Sequence, residues 1–286
     1  MEGSAVGIWE LVSWRSVGSK LANRLLGIKV INSLLKKLSK RSRGSEFSKE
    51  STHPSDYVEV TREEIEEELA NSWKDSKVPQ IQFDTYTKEQ LENYRRGLSV
   101  EPYDVLVRIL KDNGLDGKRK RMLEVGCSTG YYSEVLKIKA INSAYSGCDY
   151  SESFIEFATR LYPGIDFQVQ DACSLTYPDG SFDIVISGCC LLHIMNYEKA
   201  IEETARIAKE YVVFHRTPVL HKKDTSYYIK TAYGVKMFEI HFNERELLKL
   251  FDKNNLKVID IITFNCGLEK NSGDFYAYKT YLCMKS

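Results

Sequence analysis

From residue 121 onward, short apolar runs alternate with stretches in which apolar residues recur every three or four positions. Residues 121–125 form a run that ends at a glycine turn and reads as a strand. Residues 131–139 follow as a helix and 144–149 as a second strand. Residues 153–161 read as a second helix, with Phe154, Phe157, Ala158 and Leu161 on one face. Residues 166–170 and 182–187 are the third and fourth strands, 197–208 a helix, and 211–214 the fifth strand. Asn243 and Glu246 have the spacing of a capping box that opens a helix through Phe251. Residues 256–264 and 275–284 are the last two strands, with only a loop between them.

Strands separated by single helices predict an α/β chain. The expected architecture is a Rossmann-like, doubly wound, mostly parallel seven-stranded sheet whose last strand is reversed by the final hairpin, preceded by an N-terminal helical extension. In such a sheet ligands bind at the carboxyl ends of the strands. The tips to inspect are residues 124–130, 149–150, 171–172, 188–193 and 215–218.

Charge divides the part that precedes this core. Residues 1–43 carry nine Lys/Arg against Glu2 and Glu10, whereas residues 56–72 carry seven acids against Arg62. Leu21, Leu25, Ile28, Ile31, Leu35 and Leu38 lie on one helical face of the basic stretch. A basic amphipathic helix of this kind suits peripheral membrane contact through residues 15–41, and equally suits packing on the protein or a partner. The expected organisation is therefore a basic extension and linker over 1–55, a helical cap region over 56–118, and a core over 119–286. Within the core, residues 221–242 are too long for a plain connection and read as a lid insertion.

The chain has 286 residues, and forty Lys+Arg balance forty Asp+Glu, so no basic excess points to nucleic acid. The seven cysteines form no Cys-x-x-Cys pair and no metal-ligand spacing appears, so no metal is expected and the cysteines read as reduced thiols. No apolar run approaches the roughly 18 residues of a membrane span. A cytoplasmic protein is expected, with membrane association limited to the periphery.

Chemistry concentrates on the tips. Gly126 and Gly130 flank a strand-to-helix turn, where a ligand can approach the backbone and a helix amide end. Asp149 ends the second strand and suits two ribose hydroxyls, or a helix N-cap. Asp171 ends the third strand and suits an adenine amino group while the Ala172 amide donates to the ring, or serves its own turn. A nicotinamide fingerprint needs further glycines where Ser128 and Tyr131 stand.

With these residues in view, the chain resembles the class I S-adenosylmethionine-dependent methyltransferases over residues 119–286. The resemblance rests on residues 123–130 (Leu-Glu-Val-Gly-Cys-Ser-Thr-Gly), 148–151, 170–172 and 180–186. Ser128 stands where the family commonly has a glycine. The resemblance implies S-adenosyl-L-methionine as cofactor. It sets Gly126, Cys127, Ser128 and Gly130 at the methionine end, Asp149 at the ribose and Asp171 with Ala172 at the adenine. Glu124 would steady the loop or the ammonium group, and Tyr150 and Cys189 share the same tips.

Methyl transfer needs an aligned nucleophile and, for a hydroxyl, a proton acceptor. His193 and His215 are the candidate bases, each with a structural alternative. Arg216 suits an anionic acceptor, and Tyr227, Tyr228 and Tyr233 suit a sugar or ring. Tyr94, Arg95 and Arg96 are further candidates in the cap region. The expected activity is methyl transfer to a small molecule or glycan, at oxygen. Transfer to nitrogen or carbon, and a non-catalytic binding protein on the same fold, are the alternatives. The sequence leaves the oligomeric state open.

Overall fold

Alternate residues of the central strands feed two separate cores, and this sets the layers of the molecule. In the computed structural model, which describes residues 57–268 and 272–286, Met122, Ile184, Ile186 and Val213 bury on one face of the sheet. There they meet Leu106, Ile109 and Leu110 of the helix Glu101–Asp112, and Val135 and Leu136 of the helix Tyr132–Ile138. Leu123, Val125, Val185, Val212 and Phe214 bury on the opposite face. Their partners include Ile201 and Ala205 of the helix Tyr197–Ile207 and Leu247 and Phe251 of the helix Glu244–Lys253. The period-2 strand pattern thus becomes a helix–sheet–helix sandwich.

The strands are β1 (Val58–Val60), β2 (Lys120–Val125), β3 (Ser143–Asp149), β4 (Asp166–Val169) and β5 (Phe182–Gly188). They continue with β6 (Ala208–Leu220), β7 (Ser226–Ala232), β8 (Val235–Asn243), β9 (Leu256–Leu268) and β10 (Phe275–Lys285). β4, β3, β2, β5 and β6 lie side by side and parallel. β10 inserts antiparallel between β6 and β9. The expected mostly parallel sheet with a reversed last strand is present.

Three local features differ from expectation. β6 continues well past residue 214, because β10 runs antiparallel beside it as far as the Leu220–Tyr276 pair. His215 and Arg216 lie opposite the single residue Thr280, which makes a β-bulge, and Arg216 adopts φ 59°. Residues 221–242 contain a β-hairpin rather than a loop: β7 and β8 join through Tyr233 and Gly234, whose φ angles of 52° and 81° make a two-residue turn. At the base of the hairpin β8 pairs with β6, and at its outer edge β1 pairs with β7. Asn243 caps its helix by accepting the Glu246 amide at 3.1 Å, but the Glu246 carboxylate takes the Thr225 hydroxyl instead of closing a capping box.

The cap region, described from Tyr57, holds the short helices Glu67–Ala70 and Val78–Gln82 before the longer Lys88–Arg95. The basic stretch 1–55, with its expected membrane-facing helix over 15–41, lies outside the described residues. No described helix is long and apolar enough to cross a membrane.

Candidate active site

The turn after β2 is built so that only glycine fits at two places. Gly126 has φ 71°, and a Cβ there would stand 2.3 Å from Cys190 Cβ. Gly130 has φ 74°, and its Cβ would meet the Phe167 ring at 2.6 Å. Between them Ser128 also takes a left-handed conformation, φ 52°, which costs a side chain about 1–2 kcal/mol. Its hydroxyl donates to Gln82 Oε1 at 2.6 Å, which explains a serine at a glycine-like position: the side chain ties the turn to the cap region.

Asp149, at the tip of β3, is almost fully buried. Its Oδ2 accepts the Ser128 amide and its Oδ1 the Ser151 amide, both at 3.0 Å. Burial outweighs those bonds and pushes its carboxyl up to about 6. The Tyr150 amide also acts on the carboxylate, which keeps lone-pair capacity for a ligand hydroxyl. The Tyr150 hydroxyl donates to the Ala70 carbonyl at 3.0 Å, and the Lys74 ammonium lies 5.0 Å from its ring centroid. Asp171 is exposed at the tip after β4; its Oδ1 accepts the Cys173 amide at 2.8 Å, and Ala172 packs on the core. The turn role expected of Asp171 is thus present, with its second oxygen still available.

Two expected cofactor residues sit below the cleft. Cys127 turns its thiol toward Gly147 in the sheet, and its amide donates to the Cys148 carbonyl at 2.9 Å. Burial holds that thiol well above its ordinary range. Glu124 is buried beneath Gly188 and accepts the Tyr145 hydroxyl, and burial raises its carboxyl well above the usual range. Cys189 stays half-buried at φ 57°, and its amide donates to the His215 carbonyl at 2.9 Å.

The two histidines part company. His193 Nδ1 lies 2.7 Å from the Phe238 carbonyl oxygen. A carbonyl only accepts, so Nδ1 carries the proton and Nε2 presents a lone pair. Burial pushes the imidazole down to about 4, so it is neutral at physiological pH. His215 is buried inside the fold, with Nε2 on the Tyr132 hydroxyl and Nδ1 on the Thr280 hydroxyl, each at 2.8 Å. Both ring nitrogens are engaged by the protein, which corrects the expectation of His215 as a base.

The expected acceptor residues also divide. Arg216 leaves the strand through the bulge and stays partly accessible; its charge acts on Tyr131, Tyr132 and both histidines. Tyr233, in the hairpin turn, packs with its ring 5.8 Å from Trp73 and 5.9 Å from Tyr86. Tyr227 packs on the core, and Tyr228 lies on the other face of β7, its ring 4.6 Å from His241. Strand alternation separates these two neighbours. Tyr94 gives its hydroxyl to Asp104 at 3.1 Å and Arg95 pairs with Glu134 at 2.6 Å, so both act within the cap region and its contact with the core. Arg96 is exposed.

Sequence reasoning missed Trp73, whose ring lies 4.9 Å from His193 and 6.2 Å from Phe154. Its indole N–H is buried and has no hydrogen-bond partner among the described residues. Tyr131 was missed too: burial raises its phenol strongly, yet the ring keeps accessible surface beside Cys189 and Arg216. Neither carries a local sequence signal, because each reaches the cleft only through tertiary packing.

The geometry is a glycine cradle after β2, a buried carboxylate at the tip of β3 and a neutral imidazole after β5. Residues 123–214 match the family model described as "Methyltransferase domain". The chain is 34% identical over 98 residues to ajmaline N-methyltransferase of Rauvolfia serpentina, covering 32% of this chain and 33% of that one. It is 30% identical over 151 residues to demethylmenaquinone methyltransferase of Thermotoga maritima, covering 46% and 66%. With a second demethylmenaquinone methyltransferase, from Thermus thermophilus, included, the chain spans 33% to 66% of these relatives' lengths. A solved S-adenosylmethionine-dependent methyltransferase from Clostridium acetobutylicum shares the fold with a TM-score of 0.50 at 15% identity, over 71% of this chain and 99% of that one. The domain match lies on the strands that build the cradle, so residues 123–214 form a methyltransferase domain, on a fold shared with S-adenosylmethionine-dependent methyltransferases.

Proposed function

We propose that the chain binds S-adenosylmethionine over the tips of β2, β3 and β4 and transfers its methyl group to a small-molecule or glycan acceptor held over β5 and β6, at an acceptor oxygen. The observation that carries the reading is the cradle after β2. Side chains are excluded at Gly126 and Gly130, and Asp149 stands beside the turn with carboxylate capacity to spare. A ligand can lie directly on that backbone, and a ribose diol matches the remaining lone pairs.

In this reading Gly126, Ser128 and Gly130 hold the methionine end, Asp149 the ribose, and Asp171 with Ala172 the adenine. When bound, S-adenosylmethionine supplies a methyl group already activated by a sulfonium charge. The protein's part is alignment, exclusion of water and removal of one proton. His193 accepts the acceptor's proton at Nε2, since Nδ1 is committed to Phe238. Residues 57–95 cover the cleft through Ser128–Gln82, Tyr150–Ala70 and His193–Trp73, which keeps water from the transfer. The β7–β8 hairpin closes the acceptor side.

Transfer to nitrogen is the second reading, favoured by the name of the Rauvolfia relative. Calorimetric titration of S-adenosylmethionine, its demethylated product and NAD tests the core of the proposal. Micromolar binding of the first two with NAD silent is expected. A folded protein that binds neither overturns it.

A further inference from the structure

The β7–β8 hairpin carries a polar cluster that neither the cofactor cradle nor His193 uses. At its centre Glu239 is completely buried. Its Oε2 accepts the Tyr57 hydroxyl at 3.1 Å and the Lys230 ammonium, while its Oε1 accepts His241 Nε2 at 3.1 Å and the Tyr278 hydroxyl at 2.9 Å. Register puts Lys230, Glu239 and His241 on one face of the hairpin; Tyr57 arrives from the position preceding β1 and Tyr278 from β10. A buried ion pair is a poor source of net stability, because desolvation offsets most of the attraction. Five polar groups drawn to one point therefore call for a ligand-facing explanation.

The donors around Glu239 are not exhausted by it. Lys230 Nζ also donates to the Tyr57 oxygen at 3.1 Å, which leaves a third N–H. The carboxylate only accepts, so His241 Nε2 carries a proton. The Tyr278 oxygen donates once and keeps its lone pairs. Tyr57, Lys230, His241 and Tyr278 all retain accessible surface, although Glu239 has none. The cluster borders the cleft: Phe238, the neighbour of Glu239 on β8, accepts His193 Nδ1–H at 2.7 Å.

We infer that the Glu239-centred cluster on the β7–β8 hairpin is an acceptor-binding subsite for a polyhydroxylated, sugar-like molecule. The inference rests on the methyltransferase reading and names its acceptor class. Mixed donors and lone pairs on adjacent positions match vicinal hydroxyls, each of which donates and accepts. Tyr57 and Tyr278 add ring surface for the apolar side of a sugar. An apolar acceptor would leave these groups desolvated and unpaired. A phosphate would meet Lys230 already neutralised by Glu239.

The test is calorimetry on the full chain saturated with S-adenosylhomocysteine, titrated with a panel of methyl glycosides and, separately, with 1,4-dihydroxynaphthalene. Binding of at least one glycoside is expected, weakened about fivefold or more in Tyr278→Phe, which keeps the other three donors on Glu239. S-adenosylhomocysteine affinity should be unchanged in that variant. No glycoside binding overturns the inference, as does glycoside affinity that Tyr278→Phe leaves intact while its Tm falls. Binding of the naphthol alone overturns the sugar class. A folded protein that fails to bind S-adenosylhomocysteine itself overturns the methyltransferase reading instead, so the two failures are distinguishable.

Discussion

The Nδ1–H of His193 donates to the carbonyl of Phe238 at 2.7 Å, so the hairpin strand β8 fixes the tautomer of a histidine that follows β5. One insertion thereby fixes which ring nitrogen of His193 is left with its lone pair. His193→Ala should lower kcat about a hundredfold or more and leave S-adenosylhomocysteine affinity intact. Because burial holds the imidazole near 4, it is neutral and competent above that value. At saturating S-adenosylmethionine kcat should therefore stay flat from pH 8 to about 5.5 and decline only as pH approaches 4. A decline centred near 6.5, or full turnover in the variant, removes His193 from the mechanism.

The proposed ribose contact of Asp149 predicts a pH dependence of cofactor binding. Its carboxyl is raised to about 6 by burial, and the ionised form is the one that accepts two ribose hydroxyls. Above pH 7 affinity for S-adenosylhomocysteine should be constant. Below about 6 the protonated form accumulates, and affinity should weaken about tenfold per pH unit. Asp149→Ala should abolish binding at every pH. Calorimetry between pH 5 and 8 decides it, and a flat profile in the wild type argues against ribose contact at this residue.

The central sheet was legible because its strands are buried on both faces and read as short apolar runs, such as residues 184–186. Gly126, Gly130 and Asp149 were legible because backbone geometry restricts what can stand there. The β7–β8 hairpin was not, since its turn uses Tyr233-Gly234 in place of the usual Asn-Gly signal. His215 misled because the sequence places it just past a strand end, whereas β6 runs on to Leu220. Only the three-dimensional partners Tyr132 and Thr280 reveal that its ring points into the fold. Glu239 was silent for a related reason: its partners come from β1's approach, β7 and β10, far apart in sequence.

Gly126→Ala should destabilise the protein by about 2–5 kcal/mol. The added Cβ meets Cys190 at 2.3 Å, and the left-handed backbone contributes its own strain. Thermal unfolding should show a lower Tm together with loss of S-adenosylhomocysteine binding. Unchanged stability would mean that the loop after β5 yields easily, and that the cradle is softer than its packing indicates.

His215→Phe should act on stability and leave the shape of the pH–rate profile alone. The substitution removes both ring nitrogens, so the Tyr132 and Thr280 hydroxyls lose their partners inside the fold. Two unsatisfied buried hydroxyls cost roughly 2–6 kcal/mol. Denaturant unfolding measures that loss. A new inflection in the pH–rate profile with stability unchanged would return His215 to the reaction.

Trp73 provides a final test, of what the cap region contributes to the cleft. Its ring packs between His193 and Phe154, and its indole N–H is buried with no hydrogen-bond partner among the described residues. A buried donor without a partner is a net cost to the ligand-free fold. That cost is recovered if a bound ligand accepts from it. Trp73→Phe keeps an aromatic ring against His193 and deletes only the donor and part of the ring area. If the N–H meets cofactor or acceptor, the variant should hold or gain stability and lose about fivefold or more in affinity for that ligand. If the tryptophan serves packing alone, the variant should lose stability through the smaller ring and bind both ligands as the wild type does. Unfolding and calorimetry on the same samples separate these outcomes, since the two readings move stability and affinity in opposite combinations.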